Sequence, residues 1–250
     1  RLISNGNREQ KDGYTLVMMV ESSHAVNPNV YAKPAYDPLK DFTPISNIAN
    51  VPGVMVVGVD SPYKTAQDVA EAARKAPGKL NYGSSGNGGY SHLSGALFGN
   101  TTGTQITHVP YKGLGPALND LMAGQIDVVF DNMPSSGGLI AGGKLRALAV
   151  SSPKRLASLP DVPTYAEVGL KPMNQMSWYG IGAPAHLDAA VLNQLSAALK
   201  KTLQNPELVK TIEQQSAIVD YQTPQQFRQT VERSNKAWAR LVKDIAFEKM

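Results

Sequence analysis

The sequence predicts an α/β protein of two lobes, and three observations carry that expectation. Residues 54–152 alternate strand-like apolar runs with helix-like runs. After residue 153 the texture becomes proline-punctuated and then ends in two long helical patterns. Strand-like segments at 45–58 and 173–183 flank the alternating block. A chain that enters a block late and leaves it again must build its other lobe from both ends, so the expected lobes are 1–50 with 173–250, and 51–172. Two lobes joined by two crossing segments give a hinge, and a hinge between α/β lobes gives a ligand cleft.

In chain order, YTLVMMV (14–20) reads as a buried strand and is followed by ESSHAVNP. ISNIANVPGVMVVGV (45–59) supplies one or two strands interrupted at Pro52-Gly53. SPYKTAQDVAEAARKAPGK supplies a helix with Ser61 or Thr65 near its N-cap and Pro77-Gly78 at its end. Next come a strand (KLNYGS), a helix (YSHLSGALFG), a strand (QITHVPY), a helix (GPALNDLMAG) and a strand (QIDVVFDN). A short helix (PSSGGLIAGG) and a strand (LRALAVSS) complete the block. Such alternation predicts an open parallel sheet with right-handed crossovers. Beyond it MNQMSWYGIGAP reads as a strand and HLDAAVLNQLSAALKKTLQNPE as one long helix. Thr223-Pro224 opens a last helix with Phe227, Val231, Trp238, Leu241 and Ile245 on one side.

Composition narrows the function classes. A 250-residue chain that is 42% hydrophobic and 18% charged is globular rather than disordered. No window approaches the roughly eighteen consecutive apolar residues of a membrane span. The net charge of +4 is scattered, and its densest cluster, Lys236, Arg240 and Lys243, lies at helical spacing as a solvated face. Aromatic and basic residues do not alternate, so nucleic acid is not an expected partner. The absence of cysteine removes thiol catalysis, disulfides and thiolate metal sites, and fits an oxidising compartment. Four scattered histidines without HxH or HxxxH spacing offer no metal site, and no cofactor is expected. The chain opens at Arg1 without an apolar h-region, so a targeting segment is expected to have been removed or the start to be missing.

The stretch NYGSSGNGGYSHLSGALFG (81–99) is a strand feeding a glycine-rich loop that opens a helix. It is not a phosphate-binding P-loop, since Gly89 stands where lysine belongs, nor a dinucleotide fingerprint, since Ser91 replaces the third glycine. What remains is a donor-rich, cation-free anion site made of Ser84, Ser85, Gly86, Asn87, Gly88 and the loop amides. A tight turn requiring left-handed glycines is the plainer alternative. A helix N-terminus contributes about 0.3–1 kcal/mol and each hydrogen bond to a charged group about 1.5–3 kcal/mol. Three or four such donors suit micromolar capture of a carboxylate, near about −8 kcal/mol, better than a triphosphate. Asp131 and Asn132 end the DVVFDN strand, on the edge that faces ligands in open parallel sheets. Asp131 would receive an ammonium or hydroxyl, or else cap the helix at Pro134. Ser22, Ser23 and His24 follow a strand of the other lobe and either line the opposite wall or form an N-cap beside a surface histidine. Ser85, His92 and Asp131 offer a hydrolase triad, but the GxSxG elbow is absent and no catalysis is expected.

The segments DGYTL (12–16), SSHAVNP (22–28), YDPLKDFTPIS (36–46) and GKLNYGSSGNGGYSHLSGALF (78–98) are distinctive together. With THVPYKGLGPALNDLMAGQIDVVFDNMPS (107–135), GKLRALAVSSPKR (143–155), LPDVPTYAEVGL (159–170) and SWYGIGAP (177–184), they resemble the Bug-type solute-binding proteins of tripartite tricarboxylate transporters. The resemblance implies a periplasmic-binding-protein type II-like fold with two crossing strands. It also implies a periplasmic monomer holding a small carboxylate through backbone, hydroxyl and water contacts, with the transporter's membrane subunits as partners. A ligand-sensing role stays open. It assigns Ser84–Gly88 and Asp131-Asn132 to the ligand wall of the second lobe, Ser22–His24 to that of the first, and Trp178 to the vicinity of the hinge. Family members open with a strand, a PFxxGG loop, a helix and another strand before DGYTL, whereas here RLISNGNREQK precedes it. An N-terminally incomplete first lobe and weak carboxylate binding are therefore expected. Asp131 favours an amino acid ligand, and Arg146 or Lys112 are the cations offered for charge pairing.

Overall fold

The computed structural model describes residues 12–250; the segment RLISNGNREQK lies outside the described residues. The chain divides into two compact units, one ending at Asn50 and resuming over Ser177–Met250, the other Val51–Met176.

The first unit begins with β1 (Val17–Val20), a π-helical turn Ser22–Val26 that runs on into α1 (Asn27–Val30), and β2 (Phe42–Val51). The second unit then takes over with β3 (Gly53–Gly58), α2 (Ala66–Lys75), β4 (Asn81–Ser84), α3 (Tyr90–Thr102) and β5 (Thr107–Pro110). It continues with α4 (Leu114–Met122), β6 (Val128–Asn132), α5 (Met133–Ala141) and β7 (Leu145–Val150). The chain re-enters the first unit for β8 (Ser177–Pro184), α6 (Ala189–Thr202), α7 (Pro206–Gln214), β9 (Ile218–Val219) and α8 (Pro224–Asp244).

The second unit is a five-stranded sheet in the order β5-β4-β6-β3-β7 with helices on both faces. Strict alternation along its strands sorts side chains to the two faces. Met55, Val57, Val128 and Phe130 pack with α2 and with Phe98 of α3, whereas Val54, Val56 and Val129 pack with Ala117, Leu118 and Leu121 of α4. The helices begin where the chemistry allows. Thr65 caps α2 by accepting the Asp68 amide, and the Asp68 carboxylate reaches back to the Thr65 amide, a reciprocal capping box. Met173 is buried in the same core as Leu80 and Tyr82, which holds the stretch before Ser177 in this unit.

The all-parallel expectation is corrected. β4 runs parallel to β5 and β6, but β3 lies antiparallel to both β6 and β7. β4, β5, β6 and β7 are joined through α3, α4 and α5 and run one way, whereas β3, which enters from β2 of the other sheet with only Pro52 between them, runs against its neighbours β6 and β7.

In the first unit the sheet order is β1-β8-β2-β9, with β1 antiparallel to β8 and β2 antiparallel to β9. Ile45 and Ala183 pack with Val191, Leu192 and Leu195 of α6, while Trp178 meets Phe227 of α8 edge-on at 5.3 Å. That contact needs Gly180, because a Cβ there would fall 2.3 Å from the Phe227 ring. Trp178 donates its indole N–H to Ser234 Oγ at 2.9 Å. The expected single helix from His186 divides in two: Asn205 accepts the amides of Glu207 and Leu208, and Pro206 occupies the first turn of the new helix.

Candidate functional site

Three parallel strands, β4, β5 and β6, release their chains at the same sheet edge. The β4–β5 ladder extends past its last strand residues: the Tyr111 amide donates to Ser84 O at 3.0 Å and the Gly113 amide to Ser85 O at 3.3 Å. The glycine loop is thereby anchored on one side to the start of α4 and on the other to α3.

Within the loop, Ser84 is fully buried and its hydroxyl is saturated. Its Oγ lies 3.1 Å from Gly86 O, accepts the Gly86 amide at 3.1 Å and is hydrogen-bonded to His108 Nε2 at 2.5 Å. The Ser85 amide donates to Ser91 Oγ at 3.0 Å, the Gly88 amide to His92 Nδ1 at 3.0 Å, and the Gly89 amide to Gly86 O at 3.5 Å. The loop amides offered to an anion near Ser84–Gly88 are thus largely engaged within the loop: those of Ser85, Gly86, Gly88 and Gly89 all have partners. The side chains of Ser84, Ser91 and His92 fold back onto the loop and take the Gly86, Ser85 and Gly88 amides in turn, while Gly89 is held by the Gly86 carbonyl. Gly86 at φ +131° and Gly88 at φ +69° do adopt backbone that favours glycine, so the turn requirement is real as well. What the loop presents outward is Ser85, whose hydroxyl pairs with Ser91 at 3.2 Å, and the exposed Asn87.

Asp131 and Asn132 close β6 beside this loop. Asp131 is buried; its Oδ1 accepts the Asn132 amide at 2.7 Å and its Oδ2 the Ser136 hydroxyl at 2.5 Å. Burial pushes its carboxyl above the usual range, opposed by the Ser136 and Ser135 hydroxyls and the Asn132 amide. The alternative in which Asp131 caps the following helix is not what its bonds describe: Asn132 is the N-cap of α5, that helix has no side-chain cap bond, and Asp131 accepts the amide of Asn132 and the hydroxyl of Ser136 instead. Asn132 differs: its side-chain Oδ1 is buried and has no hydrogen-bond partner. Gly53 pairs with Asn132 across the sheet, and a Cβ there would fall 2.5 Å from the Tyr90 hydroxyl and 3.0 Å from Ser151 Oγ. Tyr90, Ser151, Asn132 and the glycine loop thus gather at one edge of the second unit.

The first-unit candidates sit in the helical turn after β1. Ser22 is exposed, Ser23 and His24 are buried. Ser23 Oγ lies 2.8 Å from His24 Nδ1, and the His24 ring packs against Phe42 at 5.0 Å and Tyr36 at 5.7 Å. His24 is a core side chain, not a surface histidine, and burial lowers its pKa to about 4. Neither offered cation behaves alike. Arg146 donates to the carbonyls of Val59, Ser61 and Tyr63 and is committed to the turn after β3, whereas Lys112 is exposed between the two residues that anchor the glycine loop.

The hydrolase arrangement is not the one these contacts make. Ser85 Oγ pairs with Ser91, His92 Nδ1 is engaged by Gly88, and both Asp131 oxygens are engaged by neighbours of their own. Sequence spacing missed a different pair. His92 and His108, sixteen residues apart, stack face to face at 3.6 Å and 5°. Only the parallel β4–β5 register, which sets His108 opposite Tyr82, brings them together. Among the described residues no group of three or more potential ligands could hold a metal ion, and no helix is long and apolar enough to cross a membrane.

Residues 5–247 match the family model described as the tripartite tricarboxylate transporter family receptor. Protein BugT of Bordetella pertussis is 31% identical over 234 residues, covering 93% of this chain and 72% of that protein. Among solved structures, R. palustris Rpa4515 with adipate is similar at 33% identity and a TM-score of 0.86, covering 99% of this chain and 83% of that one. MatC from Rhodopseudomonas palustris with bound malate is similar at 27% identity and a TM-score of 0.82, covering 96% and 83%. The two-unit α/β architecture is that of these type II-like periplasmic binding proteins. The chain belongs to the receptors of the tripartite tricarboxylate transporter family, a family of solute-binding proteins rather than enzymes.

Proposed function

We propose that this receptor works in the periplasm, where it captures a small carboxylate, a dicarboxylate first of all, and passes it unchanged to the membrane subunits of a tripartite transporter. The observation that carries this reading is the meeting of a hydroxyl-lined glycine loop with an unpartnered buried acceptor, Asn132 Oδ1, at the ends of parallel strands. Hydroxyls of Ser85 and Ser91 and the Asn87 amide supply donors for carboxylate oxygens; Lys112 adds a cation nearby. Asn132 Oδ1 supplies an acceptor for a ligand hydroxyl or ammonium. The relatives support the substrate class, since one is solved with adipate and another with malate.

Titration of adipate and malate into the isotope-labelled chain tests the reading. Amide and side-chain shifts are expected to concentrate in residues 84–92 and 131–132, to weaken in Ser85→Ala, and to leave both acids chemically intact. Shifts confined to other residues, or a reaction product in the tube, would overturn it.

A further inference from the structure

The stacked imidazoles belong to no contact the proposed capture requires, yet both are wired to the loop. His92 is the third residue of α3, the position from which a side chain reaches back to amides before the helix. It accepts the Gly88 N–H at Nδ1, so that nitrogen carries no proton and the ring is the neutral Nε2–H tautomer. His108 Nε2 is hydrogen-bonded to the buried Ser84 hydroxyl at 2.5 Å. One ring therefore holds the loop's far end and the other its root, and their contact at 3.6 Å joins the two ends.

We propose that His92, backed by His108, is a positioning residue of the glycine loop: its neutral Nδ1 clasps Gly88, and protonation there opens the clasp so that carboxylate capture weakens on acidification. An imidazolium has no lone pair at Nδ1, so the bond to Gly88 and the charge cannot coexist. The titratable group facing both rings from β4 is Tyr82, at 6.3 Å from His92 and 5.1 Å from His108, and burial keeps its phenol protonated. Burial lowers both histidines from the ordinary 6.5, His108 to about 4 with His92 as a second cause, so the clasp is closed at neutral pH. This inference rests on the loop being the carboxylate site, and its first test does not.

In the ligand-free protein, long-range 1H–15N spectra at pH 7.5 are expected to show the Nε2–H tautomer for His92, with the Gly88 amide shifting as His92 titrates below 6.5. A proton on Nδ1 at pH 7.5, or a Gly88 amide indifferent to that titration, would overturn the clasp. Adipate affinity is then measured from pH 7.5 downward. The wild type is expected to weaken about three- to tenfold more than His92→Asn, which keeps an acceptor at the Nδ1 position but cannot titrate. His92→Leu is expected to bind weakly at every pH. Identical profiles for wild type and His92→Asn would remove the positioning role. If the ligand-free spectra behave as expected while adipate perturbs other residues, the clasp stands and the carboxylate site is what fails.

Discussion

The indole N–H of Trp238 donates to the Glu21 carboxyl at 3.0 Å, with both side chains buried. The bond fastens α8 to the end of β1. Ser177 and Ser234 add hydrogen bonds to the same carboxyl, yet burial outweighs them and raises its pKa from 4.5 to about 7.

Stability of the first unit is accordingly expected to fall as pH rises from about 4.5 to about 7. The folded chain holds a proton there that the unfolded chain has released, so the sign is opposite to that of a salt-bridged carboxylate. The loss is on the order of 3 kcal/mol and levels off about one pH unit above 7. Trp178 and Trp238 are the chain's two tryptophans and both lie in this unit, so denaturant unfolding followed by indole emission reads it alone. Glu21→Gln should flatten the slope between pH 5 and 8; an unchanged slope would acquit Glu21.

Two glycine-to-alanine changes should differ in sign. A Cβ at Gly95 would sit 2.2 Å from the Tyr82 ring, so Gly95→Ala forces α3 off the sheet and is expected to cost about 1–3 kcal/mol. Gly115, in the first turn of α4, has nothing within 4 Å, and Gly115→Ala is expected to be neutral or to stabilise by a few tenths of a kcal/mol. Urea melts followed by far-ultraviolet circular dichroism separate the two.

Arg146 gathers three carbonyls, those of Val59 at 2.6 Å and of Ser61 and Tyr63 at 3.1 Å each. Lysine cannot reproduce that fork. Arg146→Lys is expected to destabilise the second unit by about 1–3 kcal/mol and to make the 59–64 turn the first site of cleavage in limited proteolysis. Cleavage elsewhere first would show that the turn does not depend on the fork.

Asn132 offers an acceptor without a donor of its own. Malate carries a hydroxyl and adipate does not, so Asn132→Ala is expected to weaken malate about three- to tenfold and adipate hardly at all. Calorimetric titration of both acids into both proteins checks this, and equal losses would place the acceptor away from the ligand's hydroxyl.

Much of the fold was legible because its signals are local. The strand ending in Ser84, the glycine loop, the apolar stripe Phe227–Val231–Trp238–Leu241 and the cap at Thr65 each announce themselves within a few residues. The break at Asn205-Pro206 was equally local, but the apolar pattern running across it outweighed the cap. The direction of β3 was not legible, since nothing in GVMVVG states which neighbour it will pair with. For the site, residue types were readable and hydrogen-bond destinations were not. Ser91 and His92 turn back to occupy the amides that a sequence reading left open, and His108 joins them only through strand register.

Asn87 stands exposed at the crest of the loop in a chain that contains no cysteine. A lone sulfhydryl introduced there would be the molecule's single attachment point for an environment-sensitive dye. With capture at the loop as proposed, occupancy would be readable as colour, converting the receptor into an optical gauge for dissolved organic acids.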